Sequence, residues 1–251
     1  MKFADIKKIG VVGGGVMGGG IAQVMAAVGG YDVVVRDISD EALEKTRGAV
    51  FDSRWGVKRS VEVGKLSFDK AAFALEHIKL TTDLGDLNDC DFLIEAVPEN
   101  LELKQRVFKE LDEAIKSDAI FTSNTSGYVI AEIARDVSEA RKALVAGMHY
   151  SNPVPTMRMC EIIRTAQTSQ DTFDAAMGVA ERAGKVAIPV MDAPGTYGFI
   201  LNRVFAAARR EAMAIVDAGI ATPEDVDRAM ITGRNWPSGF FGERGGIGRQ
   251  W

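Results

Sequence analysis

The sequence predicts an α/β fold: a Rossmann-type dinucleotide-binding domain over residues 1–191 with a projecting helical hairpin, then a small all-α C-terminal domain over 192–251. Three observations predict it. Strand-like and helix-like runs alternate as far as His149. The first strand meets the first helix at Gly13-Gly14-Gly15-Val16-Met17-Gly18. Beyond Asp192-Ala193-Pro194-Gly195-Thr196, a turn-rich tract, the pattern is wholly helical.

Strands are expected at 7–12, 32–36, 78–81, 91–96, 118–122 and 143–148, and helices at 16–28, 40–59, 68–76, 100–116 and 127–135. Alternation of this kind makes a parallel sheet covered on both faces. The stretch 40–76 is too long for a simple crossover and reads as two charged helices joined at Gly64-Lys65-Leu66-Ser67, with Ser67 as N-cap. After His149, strands at 158–164 and 185–190 flank a helix at 170–183. The C-terminal domain opens with a long helix, about 198–218, with apolar Ile200, Val204, Ala207, Ala208, Met213 and Val216. A shorter helix follows, capped by Thr222-Pro223-Glu224.

The glycine turn has a chemical meaning. Gly13 lets the chain turn as it leaves the strand, Gly15 lets backbone approach a pyrophosphate, and Gly18 lets the helix pack close to the sheet. The helix then presents free N–H groups, from Val16 and Met17 onward, to the phosphates. Asp37 ends the next apolar run, where a carboxylate accepts ribose hydroxyls and repels a 2′-phosphate. NAD is the expected cofactor. Arg36 beside it is able to neutralise a phosphate and leaves NADP open.

The net charge of −5 argues against a general nucleic-acid binder. No apolar run approaches the length of a membrane span, and no signal peptide precedes the first strand. Two separated cysteines, Cys90 and Cys160, form neither a disulfide framework nor a metal motif and read as buried thiols. A cytoplasmic location and no metal are therefore expected.

Ligands of open α/β sheets bind beyond the carboxyl ends of the strands. Glu95 and Glu99, then Ser123-Asn124-Thr125-Ser126, then His149 follow the fourth, fifth and sixth strands. Hydride transfer from a secondary alcohol needs a base for the hydroxyl proton. Of the two histidines, His77 reads as a surface residue at a helix–strand junction and His149 as the base. Glu161, alone in an apolar strand, is the carboxylate expected behind it. Plainer readings stay open: a structural histidine, a salt bridge from Glu161 to Arg158 or Arg164, and a helix cap within 123–126.

These residues resemble the 3-hydroxyacyl-CoA dehydrogenases of fatty-acid β-oxidation and butanoate metabolism. The resemblance rests on the glycine turn, Glu95-Ala96-Val97-Pro98-Glu99-Asn100, Ser123-Asn124-Thr125-Ser126, Met148-His149-Tyr150-Ser151-Asn152-Pro153-Val154-Pro155, Glu161, Pro194-Gly195 and Asn202-Arg203. It implies NAD-dependent oxidation of a (3S)-3-hydroxyacyl-CoA, with His149 as base and Glu161 as its partner. Ser126 and Asn202 would bind the 3-oxygen or the thioester. Glu99, Lys104 and Asn152 would surround the nicotinamide half of the cofactor. The hairpin would contact CoA, with Arg54, Lys58, Arg59 and Lys65 available to its phosphates; a solvated basic face is the alternative for those four.

Three departures stand out. Tyr150-Ser151 replaces a pair of aromatics, residues 195–201 carry an insertion, and the helical domain is shortened, with a glycine-rich stretch before Trp251. Apolar surface on helix 198–218 then needs cover, so a homodimer or higher homo-oligomer is expected. Two rival readings are a relative acting on a free hydroxy acid and a non-catalytic NAD-binding protein.

Overall fold

The computed structural model describes residues 2–193, 195 and 197–242. Pro194, Thr196 and most of the glycine-rich tail (243–251), which the sequence reading singled out, lie outside the described residues. The chain divides into two compact units, one ending at Tyr197 and the other beginning at Gly198.

The first unit is a doubly wound sheet of eight strands: β1 Lys8–Val12, β2 Asp32–Arg36, β3 Ile78–Thr81, β4 Phe92–Glu95, β5 Ile120–Ser123, β6 Val145–Tyr150, β7 Met159–Arg164 and β8 Val186–Met191. Their order is β3-β2-β1-β4-β5-β6-β7-β8. All neighbours are parallel except β6 and β7. The chain winds outward from β1 in one direction and then returns to start again at β4. The β1/β4 boundary is therefore the topological switch point, where α/β folds open a crevice for ligands.

The helices of this unit are α1 Val16–Ala27, α2 Asp40–Phe51, α3 Val57–Glu62, α4 Phe68–His77, α5 Leu101–Ala114, α6 Ile130–Ile133, α7 Glu139–Lys142 and α8 Gln170–Arg182. Helices cover both faces, so β4, β5 and β6 are buried at every position. One continuous core joins Ile9 and Val11 of β1, Ile21 and Met25 of α1, Phe92 and Ile94 of β4, and Ala175 and Val179 of α8. Val50, Val57, Ala71 and Ala74 carry the helices between β2 and β3 into the same core.

Three expectations need correction. The helix expected over 40–59 is two helices, α2 and α3, split at 52–56. The Ser53 hydroxyl bonds the Ala49 carbonyl and accepts from Trp55 N, and such local bonds compete with helix. Gly56 then caps α3 where the chain folds back so tightly that a Cβ would lie 2.8 Å from Phe51 backbone. The helix expected over 127–135 shrinks to α6, because Thr125 Oγ1 captures the N–H groups of Gly127 and Tyr128 in a turn. His149 lies within β6 rather than after it, because the antiparallel return of β7 extends β6 to Tyr150.

The second unit holds α9 Ile200–Asp217 and α10 Pro223–Arg234. Thr222 caps α10, accepting from Asp225 N, with Pro223 in its first turn. Phe205, Trp236 and Phe240 form an aromatic cluster within this unit.

Candidate active site

At the carboxyl end of β1, Gly13 sits at φ +94°, a conformation that L side chains rarely adopt, with Ala96 backbone 2.9 Å from where a Cβ would be. Its N–H donates to the Arg36 carbonyl at 2.8 Å. Gly18 packs so closely beneath the turn that a Cβ would collide with the Gly13 carbonyl. Gly15 is the N-cap of α1 and offers no side-chain cap. The first-turn N–H groups of α1 are the usual orphan donors of a helix. A Cβ on Gly15 would meet nothing within 4 Å. Open space at the Gly15 Cβ position, beside a helix end with no side-chain cap and the positive end of a helix dipole, fits a pyrophosphate. Val16, at the rim, is 73% exposed, and Met17 packs against the core.

Asp37 follows β2 and is half-buried. Its Oδ2 accepts from Gly14 N at 2.7 Å and its Oδ1 from Ile38 N at 2.7 Å. A carboxylate offers about four lone-pair sites, so acceptor capacity remains for ribose hydroxyls. Thr46 of α2, fully buried, donates to the Gly14 carbonyl at 2.9 Å and so ties the turn to that helix. Sequence reasoning missed it; the signal was a lone hydroxyl on an otherwise charged helix.

The end of β4 carries a buried ionic network. Glu95 and Lys104 are each 1% exposed and meet at 2.8 Å. Glu95 also accepts from Val97 N at 2.7 Å and from the Ser123 hydroxyl at 2.5 Å. Burial nevertheless pushes its carboxyl above the usual range, against the Lys104 ammonium. Lys104 reaches Glu99 at 3.2 Å. Glu99 Oε1 accepts from the Thr125 hydroxyl at 2.7 Å, from Ser126 N at 2.9 Å and from the Tyr197 hydroxyl at 3.2 Å. Burial alone would raise Glu99, but the Thr125 bond, Lys104 and the Ser126 N–H together hold it below the usual carboxylate range. Burial and then Glu99 push the Tyr197 phenol up to about 12.

The end of β6 carries the second pair. His149 and Glu161 stand opposite each other in the antiparallel β6–β7 ladder. Directly paired positions bring side chains together on one face. The Nδ1 of His149 lies 2.7 Å from Glu161 Oε2, with His149 5% exposed and Glu161 fully buried. A carboxylate against Nδ1 selects the tautomer with the proton on that nitrogen and leaves Nε2 as the basic atom. His77, at the end of α4, instead pairs with exposed Asp32.

Of the expected site residues, Gly13, Gly15 and Gly18 are brought together with Asp37, Glu99 with Lys104 and Ser126, and His149 with Glu161. Asn152 is exposed and precedes Pro153 across a cis peptide bond. Asn202 belongs to the second unit, in the first turn of α9. Arg54, Arg59 and Lys65 line one groove of about 560 Å³ with Trp55, Pro155 and Thr156, and Lys58 is not among its lining residues. The Arg54 guanidinium lies 4.4 Å from the Trp55 ring centroid. Among the described residues no cluster of histidine, cysteine, aspartate and glutamate fits a metal ion, and no helix is long and apolar enough to cross a membrane.

Comparison with known proteins gives a consistent picture. Residues 8–193 match the sequence model of the 3-hydroxyacyl-CoA dehydrogenase NAD-binding domain, and residues 198–247 that of the C-terminal domain. The chain is 41% identical over 232 residues to a probable 3-hydroxybutyryl-CoA dehydrogenase of Deinococcus radiodurans, covering 92% of this chain and 80% of that one. It is 38% identical to the 3-hydroxybutyryl-CoA dehydrogenase of Clostridioides difficile, covering 92% and 79%. Among solved structures, an (S)-3-hydroxybutyryl-CoA dehydrogenase from Ralstonia eutropha superposes with a TM-score of 0.87 at 38% identity, covering 94% of this chain and 80% of that one.

Proposed function

The chain belongs to the NAD-dependent 3-hydroxyacyl-CoA dehydrogenase family, and from that premise we propose that it reversibly oxidises a (3S)-3-hydroxyacyl-CoA to the 3-oxoacyl-CoA, with His149 as general base. The observation that carries this reading is the 2.7 Å contact between a buried imidazole and a fully buried carboxylate at the carboxyl end of the sheet. NAD, when bound, supplies the hydride acceptor. His149 Nε2 takes the 3-hydroxyl proton as the carbon loses its hydride, and returns it in the reverse direction. Glu161 stabilises the imidazolium that forms and fixes the ring.

Ser126, whose backbone is held by Glu99, donates to the 3-oxygen or the thioester. Asp37 holds the adenosine ribose, Gly13 to Gly18 the pyrophosphate, and Glu99 and Asn152 the nicotinamide half. Lys104, 1% exposed, acts on the cofactor through Glu99 rather than by touching it. Arg54, Arg59 and Lys65 take the CoA phosphates, which favours a CoA thioester over a free hydroxy acid.

We further propose a homo-oligomer in a reducing, cytoplasmic setting. Both thiols are free and buried, and burial pushes Cys90 up to about 12 and raises Cys160 well above its ordinary value.

The test is NADH formation against short, long and cyclic 3-hydroxyacyl-CoA thioesters and the matching free acids. Turnover is expected with thioesters alone. H149Q is expected to lose about 10²–10⁴-fold in kcat while still binding NADH. Undiminished turnover in H149Q, or turnover of the free acids instead, would reject the assignment.

A further inference from the structure

The β5–β6 ladder ends at Ser123 opposite Gly147, whereas β6 runs on through Met148, His149 and Tyr150 against β7. The sheet forks here, and the imidazole stands on the extension. On the vacated side the main-chain N–H of Tyr150, a residue 2% exposed, no longer has a strand partner in β5. One side chain bridges the fork. Asn124 Oδ1 accepts from Tyr150 N at 3.0 Å. The N–H of Asn124 itself donates to the Glu95 carbonyl at 2.7 Å. This residue, 8% exposed, is therefore fixed to β4 by its main chain and to β6 by its side chain.

We propose that Asn124 is a positioning residue for the base: its side-chain carbonyl replaces the missing β5 main chain and sets where His149 stands relative to β4. The proposal rests on the reading of His149 as base. A buried N–H needs an acceptor, and the strand end bends until it finds one. Glu161 cannot do this work. It travels with β7, so it fixes the imidazole ring but not the distance of the pair from the ends of β4 and β5. Asn124 fixes that distance, because its other bond is to the strand that carries the Glu95–Lys104–Glu99 network.

The test compares N124A, which has no acceptor, with N124D, which keeps one. In N124A kcat is expected to fall about 10²-fold, with the NADH dissociation constant changed no more than about twofold, as for a displaced catalytic group. N124D is expected to recover most of that loss. A second readout does not depend on turnover. The protein has two histidines, so the imidazole NMR signals are assignable. The His149 signal should move in N124A and return in N124D, while the His77 signal stays in place and reports an intact fold. Full kcat in N124A, an unmoved His149 signal, or N124D as impaired as N124A would overturn the proposal. So would a loss of NADH affinity as large as the loss of kcat, which would make Asn124 a cofactor ligand. A His149 signal that moves as expected while H149Q keeps its turnover would instead fault the base.

Discussion

At position 37 one carboxylate serves two structures at once. Its Oδ2 receives the Gly14 N–H and so tethers the glycine turn to the end of β2, while its remaining lone pairs leave acceptor capacity for the ribose hydroxyls proposed to bind there. Replacing Asp37 by Ala removes both the acceptors and the negative charge that repels a 2′-phosphate. The dissociation constant for NAD, measured by fluorescence titration, is expected to rise about tenfold or more, the scale of a lost charged hydrogen bond. NADP should weaken less or tighten, since Arg36 adjoins the vacated place. Equal weakening of the two would mean that Asp37 only tethers the turn. Single residues of special chemistry were legible in the sequence: the glycines, Asp37, His149 and Glu161 each stand out by type and place. Residues whose role is a distant partner were not. Thr46 meets Gly14 across 32 residues and Ser123 meets Glu95 across 28. Thr46 is marked only as a hydroxyl on a charged helix and Ser123 only by its place at a strand end, and neither mark names the partner.

The elements between β2 and β3 show how a small error of boundary changes a functional reading. A single helix over 40–59 would have placed Arg54, Lys58 and Arg59 on one rigid rod. The break at 52–56 separates Arg54 from the other two: Arg54 lies in the turn over Trp55, while Lys58 and Arg59 are neighbours on α3, with Arg59 bonded to Glu62. Only Arg54, Arg59 and Lys65 then share the groove with Pro155 and Thr156, and Lys58 does not. Charge reversal accordingly has different consequences at two neighbours. R59E is expected to raise the KM for a CoA thioester about three- to tenfold, the scale of one partly screened ion pair. K58E should leave it near the parent value. Neither should alter the KM for a truncated pantetheine thioester, which lacks the nucleotide. Steady-state kinetics with both substrates is the check, and equal effects at positions 58 and 59 would mean a diffuse basic face. The break was hidden because 52–56 contains no proline and its only glycine is the cap. The extension of β6 was hidden because its cause is β7, a partner that follows later in the chain.

At the scale of the molecule, the sheet solves its burial problem within its own unit. Helices cover both faces of the central strands, and β8, an edge strand with Pro189 at its register with Ile162, is poorly suited to recruit another strand. The long helix α9 is different. Of its 18 residues only Ala212 is buried, while Ile200, Leu201, Val204, Phe205 and Met213 are each at least 44% exposed. An amphipathic helix of this length contributes stability only when its apolar stripe is covered. Contiguous exposed apolar surface of this kind marks an interaction site, and closed symmetric pairing of identical chains is the commonest way such a stripe is covered. Sedimentation at tens of micromolar, on the order of ordinary assay concentrations, is therefore expected to give at least twice the chain mass for the parent protein. V204E combined with F205E puts two carboxylates on the stripe, and burying an unpaired charge costs several kcal/mol. The double variant is expected to sediment as a monomer and to retain NADH binding, since the cofactor turn and Asp37 belong to the first unit. A parent chain that already sediments as a monomer would show that α9 is covered in some other way. A double variant that stays associated would place the contact elsewhere on the surface.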